Sequence, residues 1–257
     1  KEGIRHMTKI IISIALSFVF MVSNAIADGF DEDLFEVWLD MRTGGGKTSV
    51  FWYSEGLVRT FPGGQTTARM IGFDTSHLLR DPDNPNKAIQ LSRKIFYFFD
   101  PVTGIRLDRV PIAYPHQVKT YELDGDDIIY TVESNNGRSV YTLDPIRNYS
   151  AKKIGGVTWF NYPVFIERGT GKFENSDFYV HPGTNLTEQE RYQHVWVSYG
   201  VGPIMSSAVA WRYSSFDAMP EKITKIVREE SPLWMKPPAS MEEIEELRYK
   251  SQTEKKN

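Results

Sequence analysis

The stretch "IIYTVESNNGRSVYTL", from Ile128 to Leu143, decides the fold class of this chain. It contains two runs rich in β-branched and aromatic residues, which favour strands. Between them lies Asn136-Gly137, a dipeptide that readily adopts the positive φ angles of a tight hairpin turn. The stretch therefore predicts two antiparallel strands joined by a short connection.

Similar segments extend in both directions from this hairpin, each bounded by turn residues. The other predicted strands lie at residues 49–54, 68–73, 93–99, 117–123, 157–167, 177–181, 194–199 and 208–213. Asp100-Pro101 and Gly104 form a second predicted turn. About ten short strands from Leu34 to Tyr213, without helical crossovers, predict a mainly β fold, a single antiparallel barrel or sandwich. We favour a lipocalin-like barrel.

The hydrophobic period changes after Phe216. "PEKITKIVREE" at 220–230 places apolar residues at helical spacing, and "SMEEIEELRYK" at 240–250 offers Ser240 as an N-cap and Glu243 for a capping box. Two C-terminal helices are expected, followed by a charged tail. They either plug a barrel mouth or pack outside the sheet, and we favour the outside. The predicted division is 28–218 for the β domain and 219–257 for this C-terminal part.

The first 27 residues have the pattern of a signal peptide. Lys9 precedes the apolar run 10–22, and Ala25 and Ala27 are small residues at the positions that a signal peptidase reads. We predict initiation at Met7, cleavage after Ala27, a periplasmic or secreted product and no stable membrane span after cleavage.

Composition excludes several kinds of site and partner. The chain of 257 residues has no cysteine, which excludes disulfides, zinc–thiolate sites and a cysteine nucleophile. Lys and Arg number 30 against 33 Asp and Glu, so no basic excess favours nucleic acid, and we predict no nucleic-acid partner.

The segment "RTGGGKTSVFW" at 42–52 looks like a phosphate-binding loop but lacks its essential features. Met41 occupies the position of the first glycine, and Thr48 leads into a predicted strand rather than a helix. We therefore read the glycines as a flexible hairpin loop and predict no nucleotide partner.

Metal ions and cofactors are not expected either. A site with two histidines and one carboxylate is conceivable at Glu167, His181 and His194, but ordinary hydrogen-bonded histidines are favoured. No spacing typical of hydrolases or zinc proteases occurs. We predict no metal and no cofactor.

Strand alternation places basic groups on the same faces as large apolar ones. Candidate ligand-binding residues chosen in this way are Arg69, Arg93, Tyr97, His194, Trp196 and Arg212. If they line a barrel interior, Arg93 and Arg212 supply charge for a carboxylate or phosphate, and the aromatic residues supply an apolar wall. The alternative, which we favour, leaves the arginines at strand ends with their charged groups in water.

Three functions remain open from the residues alone. The first is an exported carrier or sensor that binds a small lipophilic, anionic molecule. The second is an acid–base enzyme of isomerase or lyase type that acts on a small carbonyl compound in the same cavity, with catalytic residues unassigned. The third is a structural or partner-binding role. Fold class does not choose between them.

Three segments resemble an uncharacterised family of exported bacterial proteins, defined only as a domain of unknown function. They are "RKIFYFFDPVTGIRLDR" at 93–109, "SFDAMPEKI" at 215–223 and "ESPLWMKPP" at 230–238. The resemblance implies a strand followed by an aromatic-Asp-Pro-x-Thr-Gly turn, and then a C-terminal tryptophan-rich strand and helices. It implies no activity and no catalytic residue.

Overall fold

Antiparallel strands make up more than half of the residues that the structure describes. The structure is a computed structural model that describes residues 34–108, 112–125, 127–134, 137–143, 151–154, 157–165, 173–180, 185–199 and 204–254. The predicted leader lies outside these residues, as do Asn136, Glu167 and His181. The strands are β1 (Val50–Thr60), β2 (Thr66–Arg80), β3 (Lys87–Phe99), β4 (Ile112–Asp124), β5 (Asp127–Ser134), β6 (Gly137–Leu143), β7 (Ala151–Ile154), β8 (Val157–Phe165), β9 (Phe173–Val180), β10 (Tyr192–Tyr199) and β11 (Ile204–Tyr213).

All of these strands belong to one sheet in the order β6-β5-β4-β3-β2-β1-β11-β10-β9-β8-β7, and every neighbouring pair is antiparallel. Leu143 of β6 also pairs with Val164 of β8, so the order of strands returns on itself. The sheet is therefore curled. The prediction of a mainly β, antiparallel fold is confirmed, and so is the hairpin of β5 and β6, in which Ser134 pairs with Gly137.

The second predicted turn is also present. The Asp100 carboxylate accepts hydrogen bonds from the backbone N–H groups of Val102 and Thr103 and from the Thr103 hydroxyl, at 2.9, 2.7 and 2.9 Å. Gly104 has a φ of 71°, which a residue with a side chain rarely adopts. The chain then returns to pair Arg106 with Phe99.

Strand β4 tolerates a proline in its interior because the pairing with β3 is irregular there. Ser92 pairs with Gln117, whereas Lys94 pairs with Tyr114, so β4 carries one extra residue at Pro115-His116. A bulge of this kind needs no ladder hydrogen bond from the proline nitrogen.

One prediction for the N-terminal part of the described chain is wrong. Residues 34–43, expected to open the strand region, form helix α1 (Leu34–Thr43). Phe35, Trp38 and Leu39 are buried at helical spacing, which the strand interpretation overlooked. The following glycines are not a hairpin loop but a 3₁₀ turn (Gly44–Gly46) with positive φ angles, which ends α1 and leads into β1.

The remaining α-helices among the described residues are α2 (Glu188–Arg191), α3 (Glu221–Glu230) and α4 (Met241–Glu254). The two predicted C-terminal helices, α3 and α4, are confirmed. Ile223 and Val227 of α3 join a core with Phe51, Phe73 and Ile95 of the sheet. Ile244 of α4 joins Leu91 and Val118 in a second cluster. Both helices therefore cover one face of the sheet, the convex face, from outside.

The N-cap of α4 follows the sequence prediction in part. The Ser240 hydroxyl accepts a hydrogen bond from the Glu243 N–H at 3.3 Å. The Glu243 carboxylate, however, accepts from the Ala239 N–H at 2.7 Å and also binds the Arg93 guanidinium. This carboxylate thus links the start of α4 to the sheet.

Candidate binding site on the interior face

The opposite face of the sheet, called here the interior face, is concave. His194 on β10 and Lys119 on β4 are separated in the sheet order by four strands, yet the charge of Lys119 acts on His194. Register and alternation assign Trp52, Asp74, Lys94 and Arg212 to this same face, because Trp52 pairs with both Asp74 and Arg212, and Asp74 with Lys94.

The predicted site residues divide between the two faces. Arg69, Arg93 and Tyr97 lie on the convex face, whereas His194, Trp196 and Arg212 lie on the interior face. Strand alternation predicted which residues of one strand share a face. It does not tell which of the two faces of each strand points inward. The structure thus does not bring the set together in one cavity.

Arg93 and Tyr97 belong to the packing beneath the C-terminal segment. Arg93 is 1% exposed, and its guanidinium donates to the Lys236 carbonyl and to the Glu243 carboxylate. The Tyr97 hydroxyl lies 3.4 Å from Ser231 Oγ, and the Arg106 guanidinium carbon lies 4.8 Å from the centre of its ring. These contacts hold residues 231–243 against the convex face.

Arg69 is exposed beside a cleft of about 300 Å³ on the convex side. Glu55 and Lys222, which form an ion pair, also line this cleft, together with Ile71 and Ile226. Arg69 is therefore separated from the interior face by the sheet itself.

Arg212 is buried on the interior face and holds the end of α1. Its guanidinium donates to the carbonyls of Asp40 and Met41, the latter at 2.8 Å, and pairs with Glu188. Its carbon lies 3.3 Å from the centre of the Tyr192 ring. Carbonyls in the last turn of a helix lack intrahelical partners, and a cation satisfies them favourably.

Helix α1 therefore closes one end of the interior face. Besides Arg212, the Tyr192 hydroxyl donates to Asp40 at 2.8 Å, and Trp52 Nε1 donates to the Arg42 carbonyl at 3.3 Å. This arrangement places the Arg42 side chain near Lys119, Tyr121 and His194. The positive charge of Arg42 acts to lower the pKa of each of these three groups.

Five ionisable groups meet below α1 and are called here the interior polar cluster. Its members are Arg42, Asp74, Lys94, Lys119 and His194. Lys119 Nζ lies 3.3 Å from Asp74 Oδ2, and Lys94 is the cross-strand partner of Asp74. Among the described side chains whose charges act on Lys119, two are cations, Arg42 and Lys94, and one is a carboxylate, Asp74.

Two members of the cluster have shifted pKa values. Burial lowers the pKa of Lys119 to about 8; Asp74 opposes this shift, while Arg42 and Lys94 add to it. Burial also holds the pKa of His194 well below its usual range, and the nearby charges of Arg42, Lys94 and Lys119 act in the same direction. His194 is therefore a neutral imidazole at pH 7, and Lys119 loses its proton more readily than an exposed lysine.

Several buried polar atoms next to the cluster have no hydrogen-bond partner among the described residues. They are Asp74 Oδ1, Ser76 Oγ, Ser92 Oγ and Gln117 Oε1. Ser76 pairs with Ser92, and Ser92 with Gln117, so three of these atoms come from one cross-strand row on the interior face. Buried polar atoms in proteins are rarely left without a partner, and water or a ligand commonly provides it.

The interior face becomes apolar away from α1. Val58, Met70 and Ala208 form a buried cluster, against which the half-buried Phe96 and Trp196 pack. The centres of the Phe96 and Trp196 rings lie 6.2 Å apart in an edge-to-face arrangement. Lys94 Nζ lies 4.9 Å from the centre of the Phe96 ring and so joins the polar and apolar parts.

Comparisons with known proteins assign no family to this chain: no family model matches it, and no curated protein matches it. Across the part of the chain that the structure describes, no helix has both the length and the apolar character needed to cross a membrane.

Sequence reasoning missed Arg42, Asp74, Lys94 and Lys119. A usable signal was present in "QVKTYEL", where Gln117, Lys119 and Tyr121 share one strand face while Val118 lies on the other. A polar face on a strand commonly indicates exposure to solvent. Only the closure by α1 and the curl of the sheet make this face interior.

Proposed function

We propose that the interior face binds a small lipophilic anion. The anionic group would lie at the interior polar cluster, and the apolar body would extend along Phe96 and Trp196. One observation carries the proposal: among the described residues of the interior polar cluster, two cations, the buried Lys119 and the half-buried Lys94, face one carboxylate, Asp74. A buried charge is costly unless an opposite charge accompanies it, so this surplus favours an anionic ligand.

The polar atoms around the cluster support the same proposal. The hydroxyls of Ser76 and Ser92 can each donate a hydrogen bond, and neither has a partner among the described residues. Arginine and lysine are the residues that commonly bind carboxylate or phosphate groups. A carboxylate at this position would meet both kinds of donor.

The apolar part accounts for the lipophilic half of the proposed ligand. The half-buried Phe96 and Trp196 pack against the buried Met70, and Lys94 Nζ lies within 6 Å of the centres of both rings. Ligand sites in proteins typically combine such walls with a few convergent polar groups. A medium-chain fatty acid has this combination of an anionic group and an apolar chain.

Within this proposal the predicted site residues have different roles. His194 and Trp196 remain candidate ligand contacts. Arg212 positions α1, while Arg69, Arg93 and Tyr97 lie across the sheet and take no part. Export of the protein remains a prediction from residues 1–27.

A second function, acid–base catalysis on a small carbonyl compound, has one observation in its favour. Lys119 and His194 both lose protons more readily than in water, and Lys119 lies next to the Asp74 carboxylate. Groups that exchange protons near neutral pH are suited to general acid–base chemistry.

The anion proposal is tested by titrating the protein with decanoate and following tryptophan fluorescence. Wild-type protein should bind decanoate and discriminate against decanol. A charge-assisted hydrogen bond contributes about 1.5 to 3 kcal/mol, so Lys94→Met and Lys119→Met should each weaken decanoate binding about ten-fold or more. Lys225→Met, an exposed change on α3, is the matched control and should bind as the wild type does. Equal binding by all four proteins, at equal melting temperatures, would overturn the proposal.

A further inference from the structure

We propose that the Lys119 amine is a nucleophile that forms an imine with the carbonyl carbon of an anionic carbonyl compound, of the 2-oxo acid class. The inference rests on the proposed function, because the interior polar cluster must first hold the anionic group. It goes further by naming the reacting atom and the class of reactant.

The position of Lys119 meets the geometric needs of such a nucleophile. It lies on β4, in the interior of a sheet, and is 3% exposed. Its amine lies 3.3 Å from Asp74 Oδ2, while Oδ1 of the same carboxylate has no partner among the described residues. A proton acceptor is thus already beside the amine, and rigid strands hold both groups.

The protonation state of Lys119 is compatible with this role. Burial lowers the pKa of Lys119 to about 8, so a sizeable fraction of the amine is neutral at mildly alkaline pH. Neighbouring cations are a known means of activating a lysine for attack on carbonyl compounds. Exposed lysines, such as Lys225 on α3, lack this environment.

The other cations of the interior polar cluster indicate that the reactant is an anion. The positive charges of Arg42 on α1 and Lys94 on β3 both act to lower the pKa of Lys119. They can hold the carboxylate of a 2-oxo acid, whose reactive carbonyl carbon is directly bonded to that carboxylate. Holding the carboxylate therefore brings the carbonyl carbon to the amine. An apolar substituent on the carbonyl carbon would lie along Phe96 and Trp196.

The step balances without an oxidant or reductant. The lone pair of the neutral amine forms a bond to the carbonyl carbon while the carbon–oxygen π bond breaks, and Asp74 carries one proton from the nitrogen to the oxygen, which becomes a hydroxyl group. Asp74 then carries the second proton from the nitrogen to this hydroxyl group, which leaves as water while the carbon–nitrogen double bond forms. The products are one imine and one water.

The test uses the full chain with 2-oxodecanoate, followed by sodium borohydride, which reduces an imine to a stable secondary amine. Intact mass and peptide mapping should find one adduct per chain, at Lys119, and decanoate should protect against it. Trapping should fall about ten-fold or more between pH 8 and pH 6, because the neutral fraction of an amine with a pKa near 8 falls with pH. Lys119→Met should abolish the adduct, whereas Lys225→Met should leave it unchanged.

Each of the other possible results of this experiment contradicts one part of the proposal. If decanoate binds but no adduct forms, or if adducts are spread over exposed lysines, Lys119 is not a nucleophile and the anion site remains. An adduct confined to Lys94 overturns the assignment of the reacting amine. If neither decanoate nor 2-oxodecanoate binds to the wild-type protein, the proposed function fails first. Competition by decanoate in the wild type keeps the test decisive even if Lys119→Met does not fold.

Discussion

Arg93 and Lys119 are buried cations on neighbouring strands, and they have opposite surroundings. Arg93 lies on the convex face, where a carbonyl and the Glu243 carboxylate of the chain itself meet its charge. Lys119 lies on the interior face, where its amine pairs with the Asp74 carboxylate and the positive charges of Lys94 and Arg42 act on it. A cation paired within its own chain stabilises the fold, whereas in our proposal two cations that face one carboxylate, Lys94 and Lys119 at Asp74, favour an external anion.

The first prediction concerns the cation on the convex face. Arg93→Met should lower the free energy of unfolding by about 2 to 3 kcal/mol, because it breaks a buried ion pair and releases the start of α4. Glu243 is partly exposed, so water compensates for some of the loss. Chemical denaturation measures the effect, and decanoate affinity should not change while the protein is folded. A loss of decanoate binding by a folded Arg93→Met protein would break the proposed distinction between the faces.

The second prediction sharpens the description of the apolar interior. A Cβ at Gly72 would lie 2.6 Å from Phe96 Cε1 and 2.3 Å from Ser54 Oγ. Gly72→Ala must therefore displace the Phe96 ring, at a cost of about 1 to 3 kcal/mol for overpacking. Decanoate binding should weaken along with stability. Gly64→Ala serves as the comparison variant. Gly64 has a positive φ, so an alanine strains the backbone there, but the space around it is open and decanoate affinity should not change.

The third prediction is a pH dependence caused by His194. Its pKa is lowered in the folded protein, so the unfolded chain binds more protons below about pH 6.5. Stability should therefore decrease as the pH falls below about 6.5, by up to about 1.4 kcal/mol per pH unit from this group. The charged groups that act on His194 are Arg42, Lys94 and Lys119.

The measurement for His194 is denaturation at a series of pH values for the wild type and His194→Gln. The variant should lose the His194 part of the decrease. If both proteins lose stability in parallel between pH 6.5 and 5, the histidine is not the titrating group.

The fourth and smallest expected effect is on the stability of Lys119→Met without ligand. Burial disfavours the charged form of Lys119, and Lys94 still faces Asp74 in the variant. Removing one partner of a buried ion pair costs free energy, but the variant no longer buries the ammonium group and this offsets part of that cost, so stability should change by less than about 1 kcal/mol. A decrease comparable to that of Arg93→Met would show that both cations serve the fold alike.

Local sequence signals predicted the strands and the C-terminal helices, because β-branched alternation, Asn136-Gly137 and the Ser240 N-cap act over a few residues. The position of the candidate site could not be predicted from such local signals, because it depends on how distant elements pack together. The apolar residues of β1 to β3 are buried on both faces, beneath α3 on one side and in the interior on the other, so alternation paired Arg93 with Tyr97 but did not orient them. The interior polar cluster depends on α1, and the strand interpretation of residues 34–43 concealed that helix.

The most direct test of the central claim is the ratio of the decanoate and decanol affinities in the wild type and in the double variant Lys94→Met/Lys119→Met. The ratio cancels changes in the apolar contacts, which the two ligands share. The wild type should prefer decanoate by about ten-fold or more, since charge-assisted hydrogen bonds contribute about 1.5 to 3 kcal/mol, and the double variant should lose most of that preference. An unchanged preference in a folded double variant, or no preference in the wild type, would contradict an anion site at the interior polar cluster.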